Sequence, residues 1–254
     1  MGWRIFSLLA MNDTPLVPPQ WQALIHNAPI SPPPETSETL GRFFSFLLQQ
    51  NEIHNLTGHR TLEDCFHFHL VDSWKVLNAG EELSLGASII DIGSGAGIPG
   101  LIWKMLRPDL RVTLVDSVLK KVSFIQEAIS LLQLQGCQAL HKRAEDIAHL
   151  PEHREQYHLA TARALAELPA CLELTAPFVR AQGEIRLPRA EQDHSQAQSR
   201  ADHFERTLGC TLIDTVAYGI PHRDRASIVL RYRKTCHAAP KYPRKPAQIK
   251  KRPL

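Results

Sequence analysis

Four glycines in "IIDIGSGAGIPG", residues 89–100, leave a backbone that a ligand can approach closely. Gly95, Gly97 and Gly100 satisfy G-x-G-x-x-G, and Asp116 follows Gly95 by 21 positions, near the spacing at which an acid meets a ribose hydroxyl in dinucleotide enzymes. On that spacing alone a nicotinamide dinucleotide and another adenosine ligand stay equally open. Two details separate them. Gly93 comes directly after a β-branched run, so Gly93-Ser94-Gly95 is the natural tight turn, with Asp91 just ahead of it. Pro99 withdraws an N–H that a pyrophosphate would use. Both favour S-adenosylmethionine, which carries a ribose and an adenine but no phosphate. Asp116 is then expected to accept the ribose hydroxyls, with capping of the next helix as the structural alternative and Ser117 as the cap if the ribose role holds. Ala144 and Glu145, in "RAED", follow a third strand-like run where the base of such a ligand would lie. Arg163, in "TARAL", follows a fourth and is expected in the active site, on the methionine carboxylate or an RNA phosphate, against a structural ion pair. His69 and Asp72 stand at i, i+3 on a predicted helix, either facing the pocket or serving the core.

These residues need a scaffold that gathers strand ends. From residue 88 the pattern alternates strand and helix, with strands predicted at 88–92, 111–115, 137–141, 157–161 and 182–187. That rhythm implies an α/β doubly wound parallel sheet with helices on both faces. "CTLIDTVAYGI" and "ASIVLRYRK", joined by "PHRDR" with no helix between, predict a terminal antiparallel hairpin. Before the sheet, Leu40, Phe43, Phe44, Leu47 and Leu48 recur at helical spacing behind Thr39 as N-cap. A second helix is predicted over 62–77. The proposed division is a Pro-rich extended segment at 1–34, with seven prolines between 12 and 34, a helical cap at 35–80, a ligand-binding core at 81–236 and a basic tail at 237–254.

The charge is unevenly spread. Between Arg231 and Leu254 there are nine Lys/Arg and no Asp/Glu, while the whole chain holds 29 basic and 26 acidic residues, so the preceding body is net acidic. A basic arm on an acidic body suits a polyanion, with a merely solubilising tail as the alternative. Five scattered cysteines without a C-x-x-C pair suggest neither a zinc cage nor a disulfide framework. A reducing, cytoplasmic setting is expected, with no membrane partner, because the opening apolar run is too short to span a bilayer.

Taken in order, "NLT" at 55–57, "HLVDS" at 69–73, the glycine loop, "LVDSVLKKVSFI" at 114–125, "RAED", "TARALAEL" at 161–168 and the closing "YPRKPAQIKKRPL" resemble the RsmG (GidB) family of methyltransferases across roughly residues 38–254. The resemblance implies a class I methyltransferase fold, Rossmann-like, and methylation of a guanine N7 in 16S RNA of the small ribosomal subunit, free or assembling, by a monomer. It also implies cofactor contacts at Gly93, Ile98, Ala144, Glu145 and Arg163. The chain departs from the family at "IRLPRA", where Arg189 lies near a family lysine and Ala190 at a glycine, and before the last strand, where Arg225 is one position early and Ala226 takes an arginine's place. The implied chemistry agrees with the residues. Guanine N7 attacks with a free lone pair, so no general base is needed, and no paired-carboxylate, Ser/His/Asp or metal motif is evident. The histidines of "FHFHL" are at i, i+2 and face apart. Two rivals remain: an NAD(P)-dependent oxidoreductase using the same loop, and a non-catalytic RNA-binding protein.

Overall fold

The computed structural model describes residues 33–220 and 226–254, with 17, 18 and 22. The Pro-rich segment falls almost wholly outside these residues, as do "PHRDR" and Arg225. Five parallel strands, β1 (Ser88–Ile92), β2 (Arg111–Asp116), β3 (Cys137–His141), β4 (Tyr157–Thr161) and β5 (Val179–Ala190), are followed by β6 (Cys210–Tyr218) and β7 (Ser227–Lys234). Their order is β3-β2-β1-β4-β5-β7-β6, with β7 antiparallel to both neighbours. The predicted α/β sheet with its antiparallel hairpin is therefore present. Because the chain order reverses between β1 and β4, the crevice beyond their carboxyl ends is where such a sheet takes ligands.

Helices α1 (Thr36–His54), α2 (62–77), α3 (Gly100–Leu106), α4 (Leu119–Leu131), α5 (Ala144–Ile147), α6 (Leu168–Thr175), α7 (Asp193–Ser199), α8 (Ala201–Leu208) and α9 (Pro246–Lys251) cover the sheet. The first starts three residues before the predicted cap: Thr39 is inside it and donates its hydroxyl to the Glu35 carbonyl. The second is helical throughout, but Cys65–Leu70 is π-helix, with Val71 N–H donating to the Phe66 carbonyl.

Two apolar clusters hold the layers together. Phe43, Phe44 and Phe66 of the N-terminal helices pack in one cluster with Leu101, Trp103 and Ile125 from the helices after β1 and β2. Trp103 also donates its indole N–H to the Ser73 carbonyl at 2.7 Å, so α2 is fastened to α3. On the other face, Phe178 and Phe204 share a cluster with Tyr242, Ile249 and Leu254 of the C-terminal segment. That segment is docked. Arg244 grips the fully buried Glu173 carboxylate through Nε at 2.8 Å and Nη2 at 2.6 Å, and Arg154 donates to the carbonyls of Ala238 and Tyr242. No described helix is long and apolar enough to cross a membrane.

Candidate active site

The glycine turn is closed by its own backbone. Gly93 and Ser94 both donate to the Val115 carbonyl, at 2.8 and 3.1 Å, which pins the turn against the end of β2. Gly93 has φ +69°, and a β-carbon there would come within 2.5 Å of the Leu165 side chain. Its bareness therefore serves packing against Leu165. Gly97 and Gly100 are confined in the same way by Leu101 and by Asp91 with Leu114, whereas a β-carbon on Gly95, φ +58°, would meet the Gly93 carbonyl only at 3.9 Å.

Asp116 binds the same turn. Its Oδ2 accepts from Gly95 N–H and its Oδ1 from Val118 N–H, both at 2.9 Å, and Lys121 Nζ lies 4.0 Å away. A carboxylate has about four acceptor sites, so each oxygen keeps capacity for a further donor. The alternative role predicted for it is partly realised as a bond to the entry of α4, while Ser117 caps nothing and α4 has no side-chain cap. Asp91 is buried behind the turn with Oδ2 accepting from Gly100 N–H at 3.0 Å and Oδ1 unpartnered. Burial pushes its pKa up to about 7 against the opposing pull of the Gly100 N–H.

Gly93, Asp116, Val118, Ala144, Glu145 and Leu165 line a cleft of about 280 Å³ at the carboxyl ends of the strands. Gly95 and Ile98 do not reach its wall. Gly95 contributes through its N–H to Asp116, and Ile98 is buried in the apolar core. Arg163 does not reach it either, but lines a second cavity of about 430 Å³ with Asp72, Arg189, Asp193 and Tyr218. The two cavities share Ala164.

Arg163 is the hub of a network that crosses the molecule. Its Nε lies 3.3 Å from Asp72 Oδ2, and its Nη1 is 3.1 Å from His69 Nδ1. Tyr218 donates to Asp72 Oδ1 at 2.6 Å, and His69 Nε2 is 2.8 Å from Thr57 Oγ1. Burial, with Arg163 beside it, drives the His69 pKa down to about 2, so the ring is neutral. Since an arginine can only donate, Nδ1 is the acceptor and Nε2 carries the hydrogen toward Thr57. His69 and Asp72 thus meet Arg163 together. His67, in contrast, turns to Glu63, with Nε2 at 3.5 Å from its carboxylate. Tyr218, Thr57 and Asp193 are site residues that sequence reasoning did not single out. The signal for Tyr218 was positional: β6 runs parallel to β5, so its last residue reaches the ligand edge.

The model of the family described as rRNA small subunit methyltransferase G matches residues 36–212. The chain belongs to this family. Relatives named "Ribosomal RNA small subunit methyltransferase G" include those of Leuconostoc mesenteroides, 34% identical over 84% of this chain and 89% of the relative. That of Clostridium botulinum is 36% identical over 84% of this chain and 90% of the relative, and one from Streptococcus pneumoniae 34% over 90% and 94%. Solved structures with the same fold include M. jannaschii TYW2 in complex with AdoMet, TM-score 0.52, 14% identical over 65% of this chain and 74% of that one. A SAM-dependent methyltransferase from Aquifex aeolicus has TM-score 0.51, 15% identical over 68% and 93%. In this member of the rRNA methyltransferase G family the glycine turn, the acid that ends β2 and the arginine after β4 lie at one strand edge.

Proposed function

We propose that this protein transfers the methyl group of S-adenosylmethionine to N7 of a guanine in 16S ribosomal RNA. The observation that carries the reading is the meeting of two cavities at Ala164, one built on the glycine turn and Asp116, the other on the Arg163 network.

The residues present fit the cofactor. The turn at Gly93 admits no side chain, the Asp116 oxygens retain acceptor capacity at the wall, and Val118 and Leu165 give apolar surface for an adenosine. Asp116 would hold the ribose, Gly93 would let the backbone come close, and Ala144 with Glu145 would flank the base. When bound, S-adenosylmethionine supplies a methyl group on a sulfonium. The chain's own task is positioning and electrostatics. Arg163, fixed by Asp72 and His69, presents its remaining surface to the larger cavity and orients the RNA. Neutral His69 has both ring nitrogens engaged, which suits a reaction in which no proton is removed before attack. The chain works as a cytoplasmic monomer, with 35–80 as cap, 81–236 as cofactor core and 237–254 as a basic segment toward RNA.

Isothermal titration tests the cofactor half. S-adenosylmethionine and S-adenosylhomocysteine are expected to bind at least about tenfold more tightly than NAD. A preference for NAD would return the oxidoreductase.

A further inference from the structure

The loop between α1 and α2 lines neither cavity, yet one of its hydroxyls reaches the group that holds Arg163. α1 stops at Asn55, whose backbone is left-handed with φ +49°. Asn51, buried on the last turn of that helix, clasps the chain as it leaves. Its Oδ1 accepts from the Thr57 N–H and its Nδ2 donates to the Thr57 carbonyl, both at 2.9 Å, and to the His59 carbonyl at 3.2 Å. An amide bound to both the N–H and the C=O of one residue leaves that backbone little freedom, so the Thr57 side chain is aimed. Its Oγ1 lies 2.8 Å from His69 Nε2 and accepts from the His59 N–H at 3.2 Å.

The two holds on Arg163 differ in kind. A carboxylate can only accept, so Asp72, 3.3 Å from Nε and tied down through its other oxygen by Tyr218, suits the guanidinium without further help. A neutral imidazole accepts at one nitrogen and donates at the other, and only the form with its hydrogen on Nε2 turns an acceptor toward Arg163 Nη1, 3.1 Å away. Because His69 is buried, that hydrogen needs a protein acceptor, which the Thr57 hydroxyl provides. Without the hydroxyl each tautomer strands a hydrogen. On Nε2 it loses its acceptor, and on Nδ1 it points at the guanidinium N–H.

We infer that Thr57 is a positioning residue for methyl transfer, fixing through His69 the orientation in which Arg163 meets the RNA. The inference rests on the role given to Arg163 in the proposed function. A group displaced by about 1 Å from its place against a bound substrate can lose much of its effect on rate, so the consequence falls on turnover and not on cofactor affinity.

Turnover on small ribosomal subunits and magnetic resonance of labelled histidine test this together. Thr57→Val should lower kcat by about 10- to 100-fold, the range for a hydrogen bond to a charged group, with KM for the subunit little changed. Its affinity for S-adenosylhomocysteine should match the wild type. Thr57→Ser restores the hydroxyl and should recover most of the rate. Thr57→Ala removes it without adding a methyl, should fall as Thr57→Val does, and takes its place if that variant does not fold. In the wild-type protein, with His69→Gln used to assign the resonance, His69 should be neutral with its hydrogen on Nε2, a signature that a merely structural threonine would not require. Undiminished kcat in Thr57→Val or Thr57→Ala, a change in KM alone, no recovery in Thr57→Ser, or a wild-type hydrogen on Nδ1 would each overturn this inference alone. Absence of methyl transfer by the wild-type protein would overturn the proposed function and this inference with it.

Discussion

Asp91 and Asp116 stand on either side of one turn and do opposite things. Asp116 lies at the wall of the cleft with an N–H on each oxygen, whereas Asp91 is sealed behind the turn with one oxygen unpartnered. Asp116→Asn keeps one acceptor oxygen, so one of the two N–H bonds is lost together with the charge. S-adenosylmethionine affinity is expected to fall at least about tenfold with the fold retained, the loss typical of a charged hydrogen bond. Unaltered affinity by titration would remove Asp116 from the site. For Asp91 the sign follows from its raised pKa. Between its ordinary value near 4 and about 7 the folded state holds a proton that the unfolded state has released, so its contribution to stability declines as pH rises through that window and is then constant. Asp91→Asn does not titrate. The difference in Tm, variant minus wild type, should therefore rise between pH 4 and pH 8, and a difference independent of pH would contradict the assignment.

Among the elements, the π-helical stretch Cys65–Leu70 and the C-terminal segment depart most from what composition conveys. Strands 88–92 and 137–141 are legible because their apolar residues run up to Gly93 and Lys142. A one-residue slip in helical hydrogen bonding has no such marker, so "CFHFHL" reads as ordinary helix although its widened turn contains His69 and precedes Asp72, the two residues that meet Arg163. Nor does a count of lysines and arginines reveal which of them are already engaged. Of the nine after residue 230, Arg231 and Arg233 bind Glu184, Lys234 is buried against the Leu208 carbonyl, and Arg244 holds Glu173. Lys241, Lys245, Lys250, Lys251 and Arg252 remain exposed. Deleting the segment would also uncover the clusters beneath Tyr242 and Ile249. A combined Lys245→Gln, Lys250→Gln, Lys251→Gln variant keeps that packing, and should flatten the log–log salt dependence of RNA binding by about 0.7 for each single-strand phosphate contact removed. An unchanged slope would make the segment a packing element alone.

For the whole molecule, the decisive contacts join parts far apart in sequence. Glu184 accepts from Arg186 and Arg231 at 2.8 Å and Arg233 at 3.0 Å, while Arg186 reaches the carbonyls of Leu77, at the end of α2, and Glu81 beyond it. Glu184→Gln leaves the buried Arg186 guanidinium without a carboxylate, while Arg231 keeps Asp214 and Arg233 keeps Glu81, and is expected to cost about 3–5 kcal/mol in urea unfolding. A loss below about 1 kcal/mol, as for an exposed pair, would contradict that reading. The same logic brings Asp72, Arg163 and Tyr218 together: α2, the loop after β4 and β6 each supply one of them, and their partnership follows from strand order rather than from local pattern. The sequence motifs pointed to the cleft lined by Gly93 and Asp116 because these residues are local to one turn and the next strand end. On the other side Arg163, His69 and Asp72 were legible as candidates, whereas Tyr218, on a strand far along the chain, carried no local signal. The central claim is the reaction itself, and one measurement addresses it directly: purified protein, isotopically labelled S-adenosylmethionine and small ribosomal subunits, with the RNA digested and its nucleosides identified by mass spectrometry. The account predicts label in 7-methylguanosine, mapping to one position of 16S RNA. Label on another base or another guanine atom, or no label with protein shown to bind the cofactor, would contradict it.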